Sequence, residues 1–265
     1  MNSENQNKPG DETQQLPFIT KKGTPLHAIS TEQSQAIRLY LERDLGISPL
    51  QIAESAGSSM GMVVRSALGL SATDGQVAIF SADNLSGWIA LVAARHLLSA
   101  GALPVVVLLA SSLPQSNEQM TLLKPIEKNG VPIFDWSPTP DESALTTLLQ
   151  SSHNAIVGAF DLFTMPSPEV CSALSTVLNE EATPLHSIQF PLGVNPSTGE
   201  AGNNPLYSSS TLSLGLPLKG AIKGNEFLGR HYLTDISIPR AGIPEIIAEQ
   251  PVLFNEQPVV LISPS

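Results

Sequence analysis

The side chains that could do chemistry in this chain fall into a few sets, each judged by its context. Gly57-Ser58-Ser59-Met60-Gly61 has the G-x-S-x-G form of a hydrolase nucleophile elbow. That motif works on a sharp turn between a strand and a helix. Here it lies among Leu50, Ala53, Ala56, Met60 and Val64, an apolar face at helical spacing, so its small residues are expected to let two helices pack closely. His27, His96, His153, His186 and His231 are scattered, and no two have the i, i+4 spacing of a helical metal pair. His96, next to Arg95, could bond a neighbouring carboxylate, but the default reading of all five is surface or packing. Cys171 reads as a small buried hydrophobe. Lys219 and Lys223, beside Gly220 and Gly224, could meet an anion, but loop lysines are ordinarily solvated.

A more informative set is the loop Ser81-Ala82-Asp83-Asn84-Leu85-Ser86-Gly87-Trp88. It follows an apolar β-branched run, Val77–Phe80, and precedes a helical segment rich in Ala and Leu. Gly101 then stops the helix and a second apolar run, Leu103–Leu109, begins. This strand–loop–helix–strand unit has both strands buried, which is the building block of a doubly wound parallel sheet. Such a first loop ordinarily wraps a phosphate, with glycines letting the backbone approach it. This one has a single glycine, two bulky apolar residues and a carboxylate. The scaffold is that of a nucleotide binder and the loop is not.

The elements around the loop alternate. A polar, aperiodic arm is expected over residues 1–26 and a single domain over 27–265. Ser30 and Gln33 form a candidate capping box for a helix over 31–44, and Pro49 can open a second helix. Helices are expected near 117–128, 141–151 and 167–179, with strands at 131–134, 154–160, 185–190, 211–214 and 232–236. The pattern predicts an α/β fold, a three-layer α/β/α Rossmann-like domain with a mostly parallel sheet. The chain has 265 residues, 42% of them hydrophobic, and a net charge of −11. That charge disfavours nucleic acid as a partner. The longest apolar run is about half a membrane span. A lone cysteine and the lack of an apolar leader core fit a cytoplasmic protein.

Gly46-Ile47 with Ala53–Gly57, the run Leu91–Leu97, Gln189–Gly193 with Thr198-Gly199, and the segments Thr211–Pro217 and Thr234–Pro239 follow one another in a set order. By that order the chain resembles the NAD(P)H-hydrate epimerase family, the YjeF N-terminal domain, over about residues 29–240. Gly46-Ile47 and Ala53-Glu54-Ser55-Ala56-Gly57 match its "GI…LMENAG" segment. Leu91–Leu97 reads LVAARHL, as in the family. Gln189-Phe190-Pro191-Leu192-Gly193 with Thr198-Gly199 matches "DIPSG…TG". Thr211–Pro217 and Thr234–Pro239 match its closing motifs. The resemblance implies a Rossmann-like fold, a homodimer, and a substrate of hydrated NADH or NADPH bound beside a potassium ion.

The departures bear on activity. Ala82–Ala90 stands where the family has GPGNNGGDG, so the cofactor-binding positions carry Asp83, Asn84, Ser86, Gly87 and Trp88, with Leu85 where an ion-binding Asn is expected. Trp88 is expected to shut the approach to the phosphates, and Asp83 to repel them. Gly158 and Gln189 occupy the positions of two family aspartates, and an amide cannot act as a general acid or base. Asp161 could be slipped three residues onto the lost aspartate and reach the same cleft, where Asn84, Ser86 and Asn195 could join it. As a polar loop residue it is otherwise expected to be solvated. The expected function is therefore a catalytically degenerate relative acting as a binding or interaction module for a small molecule or protein. No cofactor and no metal are expected. The competing expectation is an active epimerase using substitute residues, with NAD(P)H hydrate as substrate and K⁺ bound. Leu39, Ile52 and Met60 could supply part of a dimer interface, and core packing is an equally good reading of each.

Overall fold

The computed structural model describes residues 17–69, 73–109, 115–137, 143–239, 246 and 250–265. Two short strands, β1 (Phe18–Thr20) and β2 (Pro25–Leu26), precede helices α1 (Thr31–Arg43) and α2 (Pro49–Leu68). The alternating part runs β3 (Gln76–Ser81), α3 (Leu85–Ser99), β4 (Leu103–Leu109), α4 (Asn117–Lys128), β5 (Ile133–Trp136), α5 (Ser143–Ser151), β6 (Asn154–Gly158), α6 (Pro168–Glu180) and β7 (Leu185–Ile188). It is followed by β8 (Ser210–Leu214), the single-turn helices α7 (Gly220–Lys223) and α8 (Asn225–Leu228), β9 (Arg230–Thr234) and β10 (Val259–Pro264).

Helix starts are written locally. Ser30 and Ser48 each form a complete capping box, with Gln33 and Gln51 respectively, and Pro49 occupies the first turn of α2. Each such cap is worth about 1 kcal/mol.

One ten-stranded sheet has the order β2-β1-β10-β9-β8-β7-β6-β3-β4-β5. Every pair from β5 across to β9 is parallel, and β9, β10, β1 and β2 pair antiparallel. The chain winds outward from β3 to β4 and β5, then returns to β6 on the other side of β3. Right-handed crossovers then place the connecting helices on opposite faces. The point where the winding reverses lies between the ends of β3 and β6, where Ser81 pairs with Gly158. Ligands of such sheets bind beyond the carboxyl ends at this reversal.

The α/β Rossmann-like expectation holds, and several details change. The arm expected over 1–26 does not extend past Phe18, which is fully buried in a strand, and residues 1–16 lie outside the described residues. The strands expected at 154–160 and 185–190 stop at Gly158 and Ile188, because the chain turns there into loops that carry Asp161 and Gln189. Of the residues weighed between interface and core, Ile52 and Met60 are 2% and 0% exposed and belong to the core. The G-x-S-x-G segment lies within α2. A Cβ on Gly57 would come 2.4 Å from Val92 Cβ of α3, so these glycines set the approach of two helices. Among the described residues no helix is long and apolar enough to cross a membrane.

Candidate functional site

The carboxyl ends of β3, β6 and β7 converge on the first turn of α3. Asn84 caps that helix: its Oδ1 accepts the Gly87 amide at 3.0 Å. Its Nδ2 donates to the carbonyls of Ala159 (2.8 Å) and Thr164 (2.9 Å). Asn84 therefore ties the loop after β6 to the start of α3, with both ends of its amide engaged. Gly87 is required at its position, since a Cβ there would lie 1.7 Å from the Ala82 carbonyl oxygen. Gly158 is equally confined: a Cβ would meet the Ser86 carbonyl oxygen at 2.4 Å and Ala90 Cβ at 2.7 Å. The helix start rests directly on the end of β6.

Gln189 leaves β7 with φ of +63°, a left-handed conformation that non-glycine residues rarely adopt. Its backbone is fixed on both sides. The amide donates to the Leu212 carbonyl at 2.8 Å. The carbonyl accepts the Ser213 hydroxyl at 3.1 Å. Ser213 in turn lies 2.8 Å from His231 Nε2. Since the Ser213 proton is given to Gln189, His231 carries its proton on Nε2, and burial lowers its pKa to about 3. The held side chain reaches into the cluster, where Gln189 Nε2 donates to Ser86 Oγ at 2.8 Å and lies 3.5 Å from Asp161 Oδ1.

Asp161 is 3% exposed, which overturns its expectation as a solvated loop residue. Its carboxylate is gripped by Arg38 of α1, whose Nη1 lies 2.9 Å from Oδ1 and 3.0 Å from Oδ2. The Leu85 amide also approaches Oδ2 at 3.4 Å, so the carboxylate sits over the amino end of α3, where a helix favours negative charge. Arg38 donates from Nε to Glu42 at 2.8 Å, and its guanidinium carbon lies 4.5 Å from the centre of the Phe163 ring. Gln35, one turn earlier on α1, donates to the Leu162 carbonyl at 2.7 Å. Between α1 and the strand ends, bordered by Arg38, Asp161 and Gln189, remains a cavity of about 20 Å³. That is room for roughly one water.

Four of the sequence-selected residues, Asn84, Ser86, Asp161 and Gln189, thus meet, and Gly87 and Gly158 shape the space around them. Asp83 and Trp88 do not join them. The Trp88 indole N–H donates to Asp83 Oδ1 at 2.9 Å, and Asp83 accepts the Ser116 amide at 2.6 Å at the start of α4. Trp88 is half-buried and packs against the core. Asn195 is exposed, and its Oδ1 closes a turn by accepting the amides of Ser197 (2.9 Å) and Thr198 (3.1 Å). Lys219 and Lys223 are exposed. His96 lies 3.1 Å from Glu54, as its place beside Arg95 suggested. Cys171 is half-buried, and burial raises its thiol pKa. Among the described residues no three His, Cys, Asp or Glu side chains are grouped to hold a metal ion. The residue that sequence reasoning missed is Arg38. Its spacing to Glu42 reads as an ordinary pair on a helix surface.

Residues 49–220 match the family described as YjeF-related protein N-terminus. The chain belongs to that family. A curated relative is the bifunctional NAD(P)H-hydrate repair enzyme Nnr of Thermofilum pendens, 27% identical over 200 residues. The alignment covers 74% of this chain and 37% of that protein, so the chain spans little more than a third of the relative's length. The crystal structure of the yeast protein YNL200c has a TM-score of 0.72 and 21% sequence identity, covering 89% of this chain and 100% of that one. It shares the fold. Within this YjeF-family chain, the segment Ala82–Ala90 is a helix cap and a first helical turn, every polar group of which named above has a protein partner.

Proposed function

We propose that this chain is a catalytically degenerate relative of NAD(P)H-hydrate epimerase, retained as a ligand-binding or protein-interaction module. One observation carries the reading: Asp161, the carboxylate that the described residues place beside Gly158 and Gln189, is clamped by Arg38 over the amino end of α3. A phosphate would seek that same helix end. Gly158 leaves no space for a side chain, and Gln189 offers an amide that cannot exchange a proton near neutral pH. A potassium ion does not fit these side chains, because that of Leu85 has no ligand oxygen, the Asn84 side-chain oxygen is committed to the Gly87 amide, and Asp161 is already paired with Arg38. A hydrated dinucleotide needs several hundred Å³ of pocket, against about 20 Å³ here.

A second reading draws support from the 3.5 Å approach of Asp161 to Gln189 Nε2: Asp161 would serve as the substitute carboxylate of an active epimerase. The decisive experiment is conversion of one hydrated NADPH epimer into the other, run beside an active family member. Turnover below about one hundredth of the control is expected, since losing a general acid or base costs about 10²–10⁴-fold. Turnover within tenfold of the control, abolished by Asp161→Asn, would establish the second reading instead. A homodimer accompanies the proposal, and light scattering that gives the mass of one chain at micromolar concentration would remove it.

A further inference from the structure

The same edge of the sheet holds a larger opening one strand further along. It lies beyond the carboxyl ends of β8 and β9, walled on the far side by the segment that leads into β10, and measures about 370 Å³. That falls within the range of small-ligand pockets. Leu216, Ile238, Val252, Leu253 and Phe254 make its walls largely apolar, and among the described residues Asp235 is the one ionisable group lining it.

Asp235 is held rigidly. Its amide donates to the Pro258 carbonyl at 2.9 Å, and its carbonyl accepts the Ser55 hydroxyl of α2 at 2.8 Å. Ser237, with φ of +62°, turns its amide back to donate to Asp235 Oδ1 at 2.7 Å. The other carboxylate oxygen has no hydrogen-bond partner among the described residues. A neutral apolar molecule entering this cleft would strip water from that oxygen without replacing it, which is unfavourable. A cation replaces the lost water with a charge-assisted contact while its apolar body covers the walls.

We propose that this cleft binds a small organic cation with an apolar or aromatic body, its charge facing Asp235. The site is separate from the Arg38–Asp161 cluster, and the proposal stands whether or not that cluster turns over. Benzyltrimethylammonium is the probe, titrated by protein-observed NMR or calorimetry beside benzyl alcohol and phenylacetate. The cation should bind at least about tenfold more tightly than either comparison compound, a difference of about 1.4 kcal/mol. Asp235→Asn, which keeps an acceptor for the Ser237 amide, should remove that preference. Val252→Trp at the rim, where Val252 is 59% exposed, should weaken all binding without touching the fold. Ser86→Ala in the neighbouring cluster should leave binding unchanged. Equal affinity for the three probes, retention of the preference in Asp235→Asn, or no binding at about 5 mM cation would each overturn the proposal.

Discussion

The cluster at the ends of β3, β6 and β7 and the cleft at the ends of β8 and β9 are built on the same sheet edge. One retains about 20 Å³ of free space and the other about 370 Å³. In the cluster, Asn84, Ser86, Asp161 and Gln189 bond to one another or to nearby backbone, and Arg38 closes over them from α1. In the cleft, Asp235 keeps one oxygen without a partner among the described residues, and the walls are largely apolar. The difference teaches that position at the carboxyl edge does not by itself make a binding site. What matters is whether the polar groups there are left for a ligand or are satisfied within the chain.

The hardest test of the closed cluster is to place an aspartate at position 158. Gly158→Asp would drive a Cβ to 2.4 Å from the Ser86 backbone oxygen and bury a charge beside the start of α3. A loss of more than about 4 kcal/mol, or failure to fold, is expected in a denaturant melt. A variant that folds with near-native stability would show that α3 can move, and the cluster could then be reopened.

The next test breaks the clamp. The Asp161 side chain is 2% exposed and the Arg38 side chain 18%. Arg38→Met leaves a buried carboxylate without its partner, a loss of about 3 kcal/mol. The double variant Arg38→Met/Asp161→Leu removes both charges and should recover most of that loss, as apolar replacements of buried ion pairs do. If the single variant costs less than about 1 kcal/mol, water reaches Asp161 and the cluster is more open than its geometry implies.

The two regions also differ in how far the sequence announced them. The apolar runs of β3 and β4 were legible because a buried parallel strand is apolar along most of its length. The edge strand β5, with Phe134 and Asp135 exposed, was legible chiefly from its place between two helical segments. Asn84 was legible as a candidate because the loop after the first strand is where such sheets bind ligands. The Arg38–Asp161 pair was not legible: its members are 123 residues apart, and nothing local to either requires the other. Strands β1 and β10 were missed for the same reason, since Phe18 pairs with Pro264 at the opposite end of the chain and neither segment alternates clearly. Ile52 and Met60 looked equally suited to a core or to an interface, because helical spacing gives the apolar face and not what covers it.

Acid gives a further handle on the closed region through its support. His231 holds Ser213, which holds the Gln189 carbonyl, and burial lowers the His231 pKa from 6.5 to about 3. His186, bonded to Ser210 and Asn154 at 2.7 Å each, is likewise lowered to about 4. Both stay neutral in the folded chain while the unfolded chain takes up protons below pH 6.5. The unfolded state therefore binds more protons, and stability falls with pH from about 6.5 until the folded pKa values are reached. Between pH 7 and 5 each histidine should remove about 2 kcal/mol. His231→Gln should lessen the acid-induced loss measured by chemical denaturation at the two pH values. An unchanged pH dependence would mean that His231 is solvated and does not brace Gln189.

The smallest expected effect concerns which group closes the site. Trp88 is the largest side chain of the loop Ser81–Trp88, and its ring could be taken as the gate. In the fold its indole donates to Asp83, and Asp83 keeps the Ser116 amide and hydroxyl as further donors. Trp88→Phe therefore removes one hydrogen bond without leaving a buried acceptor bare, and should cost about 1 kcal/mol or less. Because Trp88 does not border the cavity between Arg38 and Gln189, removing its ring should not admit a dinucleotide. Trp88→Ala should accordingly show no NADPH-dependent or ADP-ribose-dependent rise in melting temperature, and neither should the parent chain. Binding at a hundredfold the dissociation constant would add about 2.7 kcal/mol and be readily visible. A ligand-dependent rise in Trp88→Ala alone would make Trp88 the gate, and the Arg38–Asp161 pair would then be a brace behind an intact site.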